Sequence, residues 1–467
     1  MRLIDEISQV RLKNYYALEK LNKILSHEDY KKSKIDNKNL FCGRLLLKRD
    51  FGALTFFTIN FNNKEIQLVS HKDSTNNYIN MPLLDRGDNI FFSVKGAITN
   101  KNNEQVPLII EWKLISKCFF DLPQKHFGLK DIDIKYKMKY VDLMVNKSEF
   151  EFYQKLTKLY SSLDIFLQKK NFLKIITPVL EREYGGANAL PFETKLQYDK
   201  KNLFLSVAPE FHLKKYLVSG FLNIYSISSC FRNEGIDTTH HPEFLSLEIY
   251  KTFADCNDMS KIAQQVIKYI FKFLDNDFVF KRTFIKLKYE DAVNKFFLKN
   301  HNLTWKKSTY KDLIKILILK NDLERFKTKY KESNKKNDFL LMFLFENYVE
   351  EFLIQPIHIT DFPAISSSLA EEKKNKRLDR IETYMFGKEI ANMFTEEINF
   401  LKLETNMFNY RANEDESEPY NSSFLRAMAY GMNRAGGIGL GLQRIILMAS
   451  KKLSIKDLIF QPLSNID

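Results

Sequence analysis

The stretch FRNEGIDTTHHPEFLSLEIY, residues 231–250, has two strand-like ends around a polar loop. The pattern predicts that Arg232 and Glu234 alternate on the first strand, because side chains on a strand repeat every two residues. One face of the second strand carries three side chains: Phe244, Glu248 and Tyr250. A hairpin with an arginine, two carboxylates and an aromatic ring on one surface can hold a triphosphate, an adenine and an amino group together.

A glycine-rich stretch, GGIGLGLQRIILMAS at 436–450, predicts a strand that runs into an apolar helix. Its glycines at 437, 439 and 441 leave room for a backbone or ligand to approach closely. Arg444 follows them, and the planar guanidinium of an arginine binds phosphate through two parallel hydrogen bonds. An isolated GxGxG pattern is more often a tight strand–helix turn, so its position after the arginine hairpin is what favours a binding site.

The stretch RIETYMFGKEIANMFTEE at 380–397 predicts another hairpin. A turn at Phe386-Gly387 would pair Tyr384 with Glu389 and place Glu382 diagonally across on the same face. Neighbouring carboxylates repel unless a cation lies between them, and oxygen ligands suit Mg²⁺ that bridges to phosphates. Strand parity puts three further residues on the opposite face: Asn392, Phe394 and Glu396. We therefore predict one β-bulge that brings both sets into one site; without neighbouring motifs, a surface hairpin with scattered acids would be the simpler interpretation.

Together with NFLKIITPVL (171–180, with Pro178), which follows an amphipathic helix, these stretches resemble motifs 1, 2 and 3 of the class II aminoacyl-tRNA synthetases, in the form found in lysyl-tRNA synthetases. The resemblance implies an α+β fold, with a catalytic domain on an antiparallel sheet and an N-terminal all-β OB-fold barrel. It also implies ATP-dependent attachment of L-lysine to tRNA(Lys) through a lysyl-adenylate, a Mg²⁺ cofactor and a homodimer formed through motif 1.

The resemblance assigns site residues by position. Arg232 and Arg444 are the catalytic arginines, and Glu382 with Glu389 holds magnesium. The lysine-binding positions are Gly186, Glu210, Glu248, Tyr250, Asn392 and Glu396. The ATP-binding positions are Arg232, Glu234, His240, Phe244, Gly441 and Arg444. The acidic pocket also follows from the residues themselves, since carboxylates and a phenol suit a lysine ammonium. A neutral substrate would leave buried carboxylates unpaired, and an aspartate pocket would need basic residues instead.

Residues 38–118 predict short strands separated by turns, a pattern typical of a small closed barrel such as an OB-fold. Four barrel positions match those that read a uridine-rich anticodon in the resembled family: Arg49, Phe56, Gln67 and Glu111. The alternative interpretation is that Phe56 and Gln67 are ordinary structural residues of the barrel. The predicted domains are a helical extension (1–37), the barrel (38–120), a linker (121–149) and the catalytic domain (150–467), whose residues 256–355 are mostly helical and show no chemical constellation.

The formal net charge of +14 suits a polyanionic partner. An AT-rich coding bias would also produce such a charge. The content of 40 Phe and 22 Tyr beside only 15 Gly indicates that bias. The four cysteines form no CxxC pair, which argues against zinc and a disulfide framework and favours a reducing cytoplasm. The sequence shows no membrane-spanning apolar run and no secretory signal.

Six positions depart from the resembled family: Leu190 for an arginine, His241 for an asparagine, Met393 for a glycine, Asn421-Ser422 for an acidic pair, and Gln443 for an aspartate. They leave open a catalytically impaired RNA-binding protein of the same fold. A relative that lysylates a protein instead of tRNA is the other alternative, and the barrel argues against it.

Overall fold

The computed structural model describes residues 9–20, 40–61, 64–123, 129, 131–198, 200–281, 283–330, 336–413 and 421–463, with side chains of 410–413 left aside. The chain divides into two compact units. The first comprises residues 1–135 and 140–147, and the second comprises residues 136–139 and 148–467. Much of the predicted N-terminal extension and part of the predicted linker lie outside the described residues.

The first unit contains a closed barrel with the strand order β1-β2-β3-β5-β4. Its strands are β1 (Leu40–Phe51), β2 (Leu54–Phe61), β3 (Lys64–His71), β4 (Asn89–Thr99) and β5 (Gln105–Ser116). Alternate side chains such as Leu45, Phe57 and Trp112 fill its interior. The helix α1 (Gln9–Lys20) adds Leu18 to the same core. The predicted OB-type barrel is confirmed.

The second unit is built on a large sheet with the order β12-β13-β14-β15-β16-β11-β10-β6. Its strands are β6 (Leu173–Lys174), β10 (Asn223–Phe231), β11 (Glu243–Thr252), β12 (Ile285–Lys288), β13 (Ile357–Pro363), β14 (Arg377–Met385), β15 (Lys388–Thr395) and β16 (Ala435–Leu440). Antiparallel pairs form its centre, as predicted, and parallel pairs form both edges. A small separate sheet contains β7 (Leu180–Glu181), β8 (Glu193–Lys195) and β9 (Asn202–Leu205).

Helices cover both faces of the large sheet. The helices described after α1, from both units and in chain order, are α2 (Ile132–Lys137), α3 (Lys139–Val145), α4 (Lys147–Gln168), α5 (Glu210–Val218), α6 (Cys256–Phe273), α7 (Tyr289–Phe296), α8 (Tyr310–Leu319), α9 (Leu323–Lys329), α10 (Lys336–Tyr348), α11 (Phe400–Asn413), α12 (Ser422–Met428) and α13 (Leu442–Ser450). Ile249 packs with α4, α6 and α13 in one apolar cluster, while its neighbour Tyr250 joins the cluster on the other face. This alternation gives β11 one structural face and one face for the site.

The hairpin of β14 and β15 contains the predicted bulge. Tyr384 pairs with Glu389, but Thr383 pairs with Ala391, so Ile390 is the extra residue on β15. Phe386 and Gly387 both have positive φ, at 52° and 71°, as a two-residue turn between twisted strands requires. The bulge shifts the parity of β15, so Glu389 and Asn392 both line one cavity.

Candidate active site

A cavity of about 590 Å³ lies over the sheet, between β11, β15, β16 and the loop between β10 and β11. Most of the predicted site residues line it: Gly186, Glu210, Arg232, Glu234, His240, Phe244, Glu248, Tyr250, Glu389, Asn392, Gly441 and Arg444. Glu382 and Glu396 are buried beside them, with 6% and 2% of their surface exposed. The structure therefore brings together residues from distant parts of the chain that were predicted to share one site.

Arg232 and Glu234 do not alternate on a strand, and that prediction is wrong. Strand β10 ends at Phe231, where the pairing with Glu243 of β11 stops. The Arg232 amide then donates to the Pro242 carbonyl, and the Glu234 amide donates to the Arg232 carbonyl. The second bond folds the backbone into a tight turn, which is incompatible with extended strand geometry. Both side chains still line the cavity, but from the loop.

Arg232 is placed for a ligand. Its guanidinium carbon lies 5.0 Å from the centroid of the Phe244 ring, which holds it in a cation–π contact. Its Nε is buried and has no hydrogen-bond partner among the described residues. A buried donor without a partner is costly, so an acceptor supplied by a ligand would stabilise it.

Arg444 connects the two motifs that surround the cavity. Its Nη1 donates to the Glu389 carbonyl at 3.2 Å, and its Nη2 lies 2.7 Å from His240 Nε2. The other ring nitrogen of His240 lies 2.7 Å from an Asp237 carboxylate oxygen. With Nδ1 donating to Asp237, Nε2 accepts from the arginine. These contacts hold the glycine-rich segment and the loop after β10 at a fixed spacing.

Three carboxylates form an acidic pocket at one end of the cavity: Glu210, Glu248 and Glu396. The Tyr250 hydroxyl donates to Glu248 at 3.1 Å. Burial and the neighbouring Glu210 charge raise the pKa of Glu248 to about 8. Burial also raises the pKa of Glu396 to about 8, although the Lys214 ammonium opposes this shift. Buried carboxylates with raised pKa values are the environment in which a cationic ligand is favoured.

Two glycines leave the space that this pocket needs. Gly437 lies beside Glu396, since a Cβ at this position would be 2.3 Å from Glu396 Oε1 and 2.6 Å from the Tyr250 ring. Gly186 has a φ of +87°, and a Cβ there would be 2.9 Å from Glu210 Cβ. Only glycine fits at Gly186, because residues with a side chain rarely adopt this positive φ and because a Cβ would contact Glu210 too closely.

The predicted magnesium ligands lie in an acidic region. Burial raises the pKa of Glu382 to about 8; the Arg380 charge opposes this shift and Glu389 adds to it. Tyr384 donates to Glu382 at 2.6 Å, and Arg380 is ion-paired with the same carboxylate. In the described part of the chain, no group of three or more His, Cys, Asp and Glu side chains is arranged to hold a metal ion.

Sequence reasoning missed several charged residues at the site. Lys214 bridges Glu210 and Glu396, and Arg380 donates to Asn392 at 3.0 Å and lines the cavity. The helical region, predicted to carry no chemistry, contributes Glu346 to the cavity and Glu350 to the hydroxyl of Tyr384. Burial and the nearby Glu389 and Glu346 charges raise the pKa of Glu350 to about 7. The i,i+4 spacing of Glu210 and Lys214 was a signal that could have identified the first of these.

Three of the residues that depart from the family pattern, Gln443, His241 and Met393, have local partners in the structure. Gln443 Oε1 accepts from the Leu245 amide at 3.1 Å, and His241 Nε2 accepts from the Leu463 amide at 3.0 Å. Met393 is fully buried in the apolar cluster below the sheet. Each of these side chains is therefore satisfied by its surroundings.

The remaining departures are Leu190, shortly before β8, and the pair Asn421-Ser422 at the start of α12. Asn421 caps α12 by accepting from the Phe424 amide at 2.8 Å, and Ser422 donates to Glu183 at 2.7 Å. Leu190 is 47% exposed, and its carbonyl accepts from the Asn233 amide.

The barrel positions lie on its outer surface. Arg49 of β1 pairs directly with Phe56 of β2, and Gln67 of β3 pairs with Thr58, two residues along from Phe56. Arg49, Gln67 and Glu111 are exposed, and Phe56 is half-buried. Three adjacent strands thus present an arginine, a ring and an amide on one face.

Comparisons with known proteins agree with this geometry. The sequence model of the family described as tRNA synthetases class II (D, K and N) matches residues 131–465. The chain is 31% identical to a lysine–tRNA ligase of Buchnera aphidicola subsp. Cinara cedri, over 96% of this chain and 91% of that protein. Lysine–tRNA ligases of Prochlorococcus marinus strain MIT 9515 and Clostridium tetani are 34% and 32% identical, over 90% and 97% of this chain and 85% and 93% of those proteins. The chain belongs to the class II tRNA synthetases (D, K and N), and within them to the lysine–tRNA ligases.

Proposed function

We propose that the protein activates L-lysine with ATP and transfers the lysyl group to tRNA(Lys) in translation. The observation that carries this proposal is the acidic pocket, in which Glu248 and Glu396 are buried with raised pKa values. The pocket lies in the same cavity as Arg232, Arg444 and Phe244. A cation-binding pocket next to a phosphate-binding and adenine-binding region suits a cationic amino acid and ATP.

In this proposal, an oxygen of the lysine carboxylate attacks the α-phosphorus of ATP, and pyrophosphate leaves. Arg232 bridges the carboxylate and the α-phosphate, and its buried Nε gains the acceptor that it lacks in the free protein. Arg444 and His240 bind the γ-phosphate, Phe244 stacks on the adenine, and Glu234 and Gly441 complete the ATP site. A hydroxyl of the terminal ribose of the tRNA then attacks the lysyl carbonyl, and AMP leaves. Positioning and charge neutralisation account for the protein's share of this chemistry.

Glu248, Tyr250 and Glu396 bind the ε-ammonium group, Glu210 binds the α-ammonium group, and Asn392 contacts the carboxylate beside Gly186. Glu382 and Glu389 would hold Mg²⁺. Their surroundings fit this role, because burial and then the repulsion of neighbouring carboxylates raise the pKa of Glu382 and Glu350, and Mg²⁺ is usually bound by one or two carboxylates plus substrate phosphates. When bound, the ion would neutralise charge on the phosphates.

The barrel is proposed to bind the anticodon, with Phe56 stacking on a base and Arg49, Gln67 and Glu111 reading base edges. The exposed positions of three of these side chains support this role. We keep the proposed domains as an extension (1–37), the barrel (38–120), a linker (121–149) and the catalytic domain (150–467).

We also propose a cytoplasmic homodimer. The segment around β6 exposes Leu173, Ile176 and Val179 by 58%, 86% and 41%, and a second copy of the chain would cover such an apolar strip. Cys42, Cys118, Cys230 and Cys256 carry free thiols, which suits a reducing compartment. Among the described residues, no helix combines the length and the apolar character needed to cross a membrane.

Amino-acid-dependent ATP–pyrophosphate exchange, run across all twenty amino acids with Mg²⁺, tests the activation step. We expect exchange with lysine alone. Absence of exchange with every amino acid, from folded protein, would contradict the proposal and favour an RNA-binding role.

Glu396→Gln tests the pocket itself. We expect lysine-dependent exchange to fall at least about 1000-fold, because a buried ammonium loses its charged acceptor. The melting temperature should change little, since an amide keeps the size of the carboxyl group. Lys402→Met, an exposed change on the nearby helix α11, is the control. Normal lysine activation by Glu396→Gln would show that the pocket is assigned wrongly.

A further inference from the structure

Lys214 lies behind the wall of the cavity. It is four residues after Glu210 on α5 and only 1% exposed. In the described part of the chain, the residues that line the cavity include Glu210 but not Lys214. Its ammonium lies over the rings of Phe394 and Phe424, 5.2 and 5.8 Å from their centroids. The side chain is thus held by α5 and its neighbours, and a ligand does not need it as a direct contact.

The ammonium of Lys214 joins two of the three pocket carboxylates. Its Nζ lies 2.5 Å from Glu210 Oε1 and 2.7 Å from Glu396 Oε2. Burial disfavours the charge on Lys214, but the two carboxylates outweigh burial and raise its pKa above the usual range. The second oxygen of Glu396, Oε1, is buried and has no hydrogen-bond partner among the described residues. Lys214 therefore fixes one oxygen of Glu396 and leaves the other for a ligand.

The charges of the pocket can be counted from these contacts. Glu210, Glu248 and Glu396 contribute three negative charges when all are ionised, and Lys214 contributes one positive charge. Two negative charges remain without a partner. Free lysine brings two ammonium groups, whereas most amino acids bring one. Buried charges are tolerated only when they are balanced and hydrogen-bonded, so the count matters for which ligand is accepted.

We infer that Lys214 is a specificity-determining positioning residue: its ammonium orients Glu210 and Glu396 and leaves two unbalanced carboxylates, which selects an amino acid with two ammonium groups. The inference rests on the proposed function and deepens it. Lys214 acts through the carboxylates and touches no reacting atom. Without it, three like charges would share the pocket, and the carboxylates would keep protons to higher pH.

The first test replaces Lys214 with methionine, which has a similar length and no charge. We expect KM for lysine in pyrophosphate exchange to rise about 10- to 100-fold, with KM for ATP within about twofold. Lys214→Arg keeps the charge and should recover most of the loss. Lys215→Met is the matched control, because Lys215 is the next residue on α5 and bonds to Ser423 at 2.9 Å. An unchanged KM for lysine in Lys214→Met would overturn the inference.

The pH profile distinguishes a charge effect from a packing effect. The titratable side chains that face the pocket are Glu210 and Lys214 from α5, Glu248 and Tyr250 from β11, Glu396 after β15, and Cys230 of β10 behind Glu248. Protonated carboxyl groups cannot pair with an ammonium, so lysine binding must release their protons. In the wild type, KM for lysine should fall as pH rises from 6 to about 8, a range in which the carboxyl groups lose protons while both ammonium groups of lysine stay largely charged. Lys214→Met should move this profile to higher pH, and an unmoved profile would contradict the charge count.

The sharpest test is the double variant Lys214→Met/Glu396→Gln, measured by calorimetric lysine binding without ATP. Glu396→Gln alone leaves one net negative charge for two substrate ammonium groups. Removing Lys214 as well restores two net negative charges, so the double variant should bind lysine at least about fivefold more tightly than Glu396→Gln. Equal or weaker binding would overturn the inference. Binding by the wild type without lysine-dependent exchange would instead count against the proposed function and leave this test intact.

Discussion

Gly437 shows at the scale of one residue how closely the acidic pocket is packed. An alanine Cβ there would meet Glu396 and Tyr250, at 2.3 and 2.6 Å. At Gly439, two residues along the same strand, an alanine Cβ would have the Asn392 carbonyl oxygen as its nearest heavy atom, at 4.0 Å. The two glycines lie in the same glycine-rich strand, but there is room for a methyl group only at Gly439.

Gly437→Ala should lower the free energy of unfolding by about 1–3 kcal/mol, because the added methyl group forces buried neighbours off their preferred positions. Gly439→Ala should change it by less than about 0.5 kcal/mol, since the space is open in the free protein. Chemical denaturation of both variants without ligands measures the difference. Equal stabilities would mean that Glu396 moves aside at no cost.

Strand parity was sufficient to predict that Phe244, Glu248 and Tyr250 share one face, and the family resemblance added Asn392 to the same cavity. The sequence did not reveal Arg380 or Glu350. Their contacts depend on how a strand and a distant helical segment pack, and sequence spacing does not encode that distance. The roles assigned to these residues remain proposals.

At the scale of the element, the bulge in β15 decides whether the site exists. Ile390 is the extra residue, and it is 2% exposed in the apolar cluster below the sheet. If Ile390 were instead paired in a regular ladder, strand parity would turn Asn392 and Glu396 to the face opposite Glu389. The bulge at this one residue therefore keeps Glu389, Asn392 and Glu396 on one face of the sheet.

Inserting one alanine between Asn392 and Met393 should abolish lysine-dependent pyrophosphate exchange, since the residues after the insertion would exchange faces and the carboxylate of Glu396 would leave the pocket. Ile390→Val is the control: it keeps the bulge and should cost about 0.5–1.5 kcal/mol of stability with lysine KM unchanged. Circular dichroism establishes that both variants are folded before activity is compared. Lysine activation by a folded insertion variant would show that the register is set elsewhere.

The end of β10 could not be predicted from local pattern. In FRNE, Arg232 and Glu234 are two residues apart, a spacing that suits one face of a strand, but the ladder stops at Phe231. The hydrogen bond from the Glu234 amide to the Arg232 carbonyl turns the backbone away from the strand, and that bond depends on a loop whose path the sequence does not specify. The bulge was predictable for the opposite reason, since residues on both sides of it needed one cavity.

At the scale of the whole molecule, the two units are proposed to bind different parts of the substrates. Charging of tRNA should depend on the barrel, and activation of lysine should not. The net charge of +14 adds a salt-dependent attraction to a polyanion, whereas the buried pocket is shielded from salt.

Phe56→Ala should lower kcat/KM for tRNA in aminoacylation about 10- to 100-fold through the loss of base stacking, with pyrophosphate exchange unchanged. Phe120→Ala removes another partly exposed ring of the same unit and serves as the control. Charging by Phe56→Ala at the wild-type rate would show that the ring belongs only to the barrel structure.

The bulge at Ile390 also restricts which mutations a lineage can accept. A substitution in β14, β15 or β16 changes one contact, but gain of a single codon in β15 exchanges the two faces for the residues that follow it. In-frame insertions should therefore accumulate in the surrounding loops and be absent between Lys388 and Thr395. Evolution should therefore conserve the number of residues in β15 more strictly than the identity of most of its side chains.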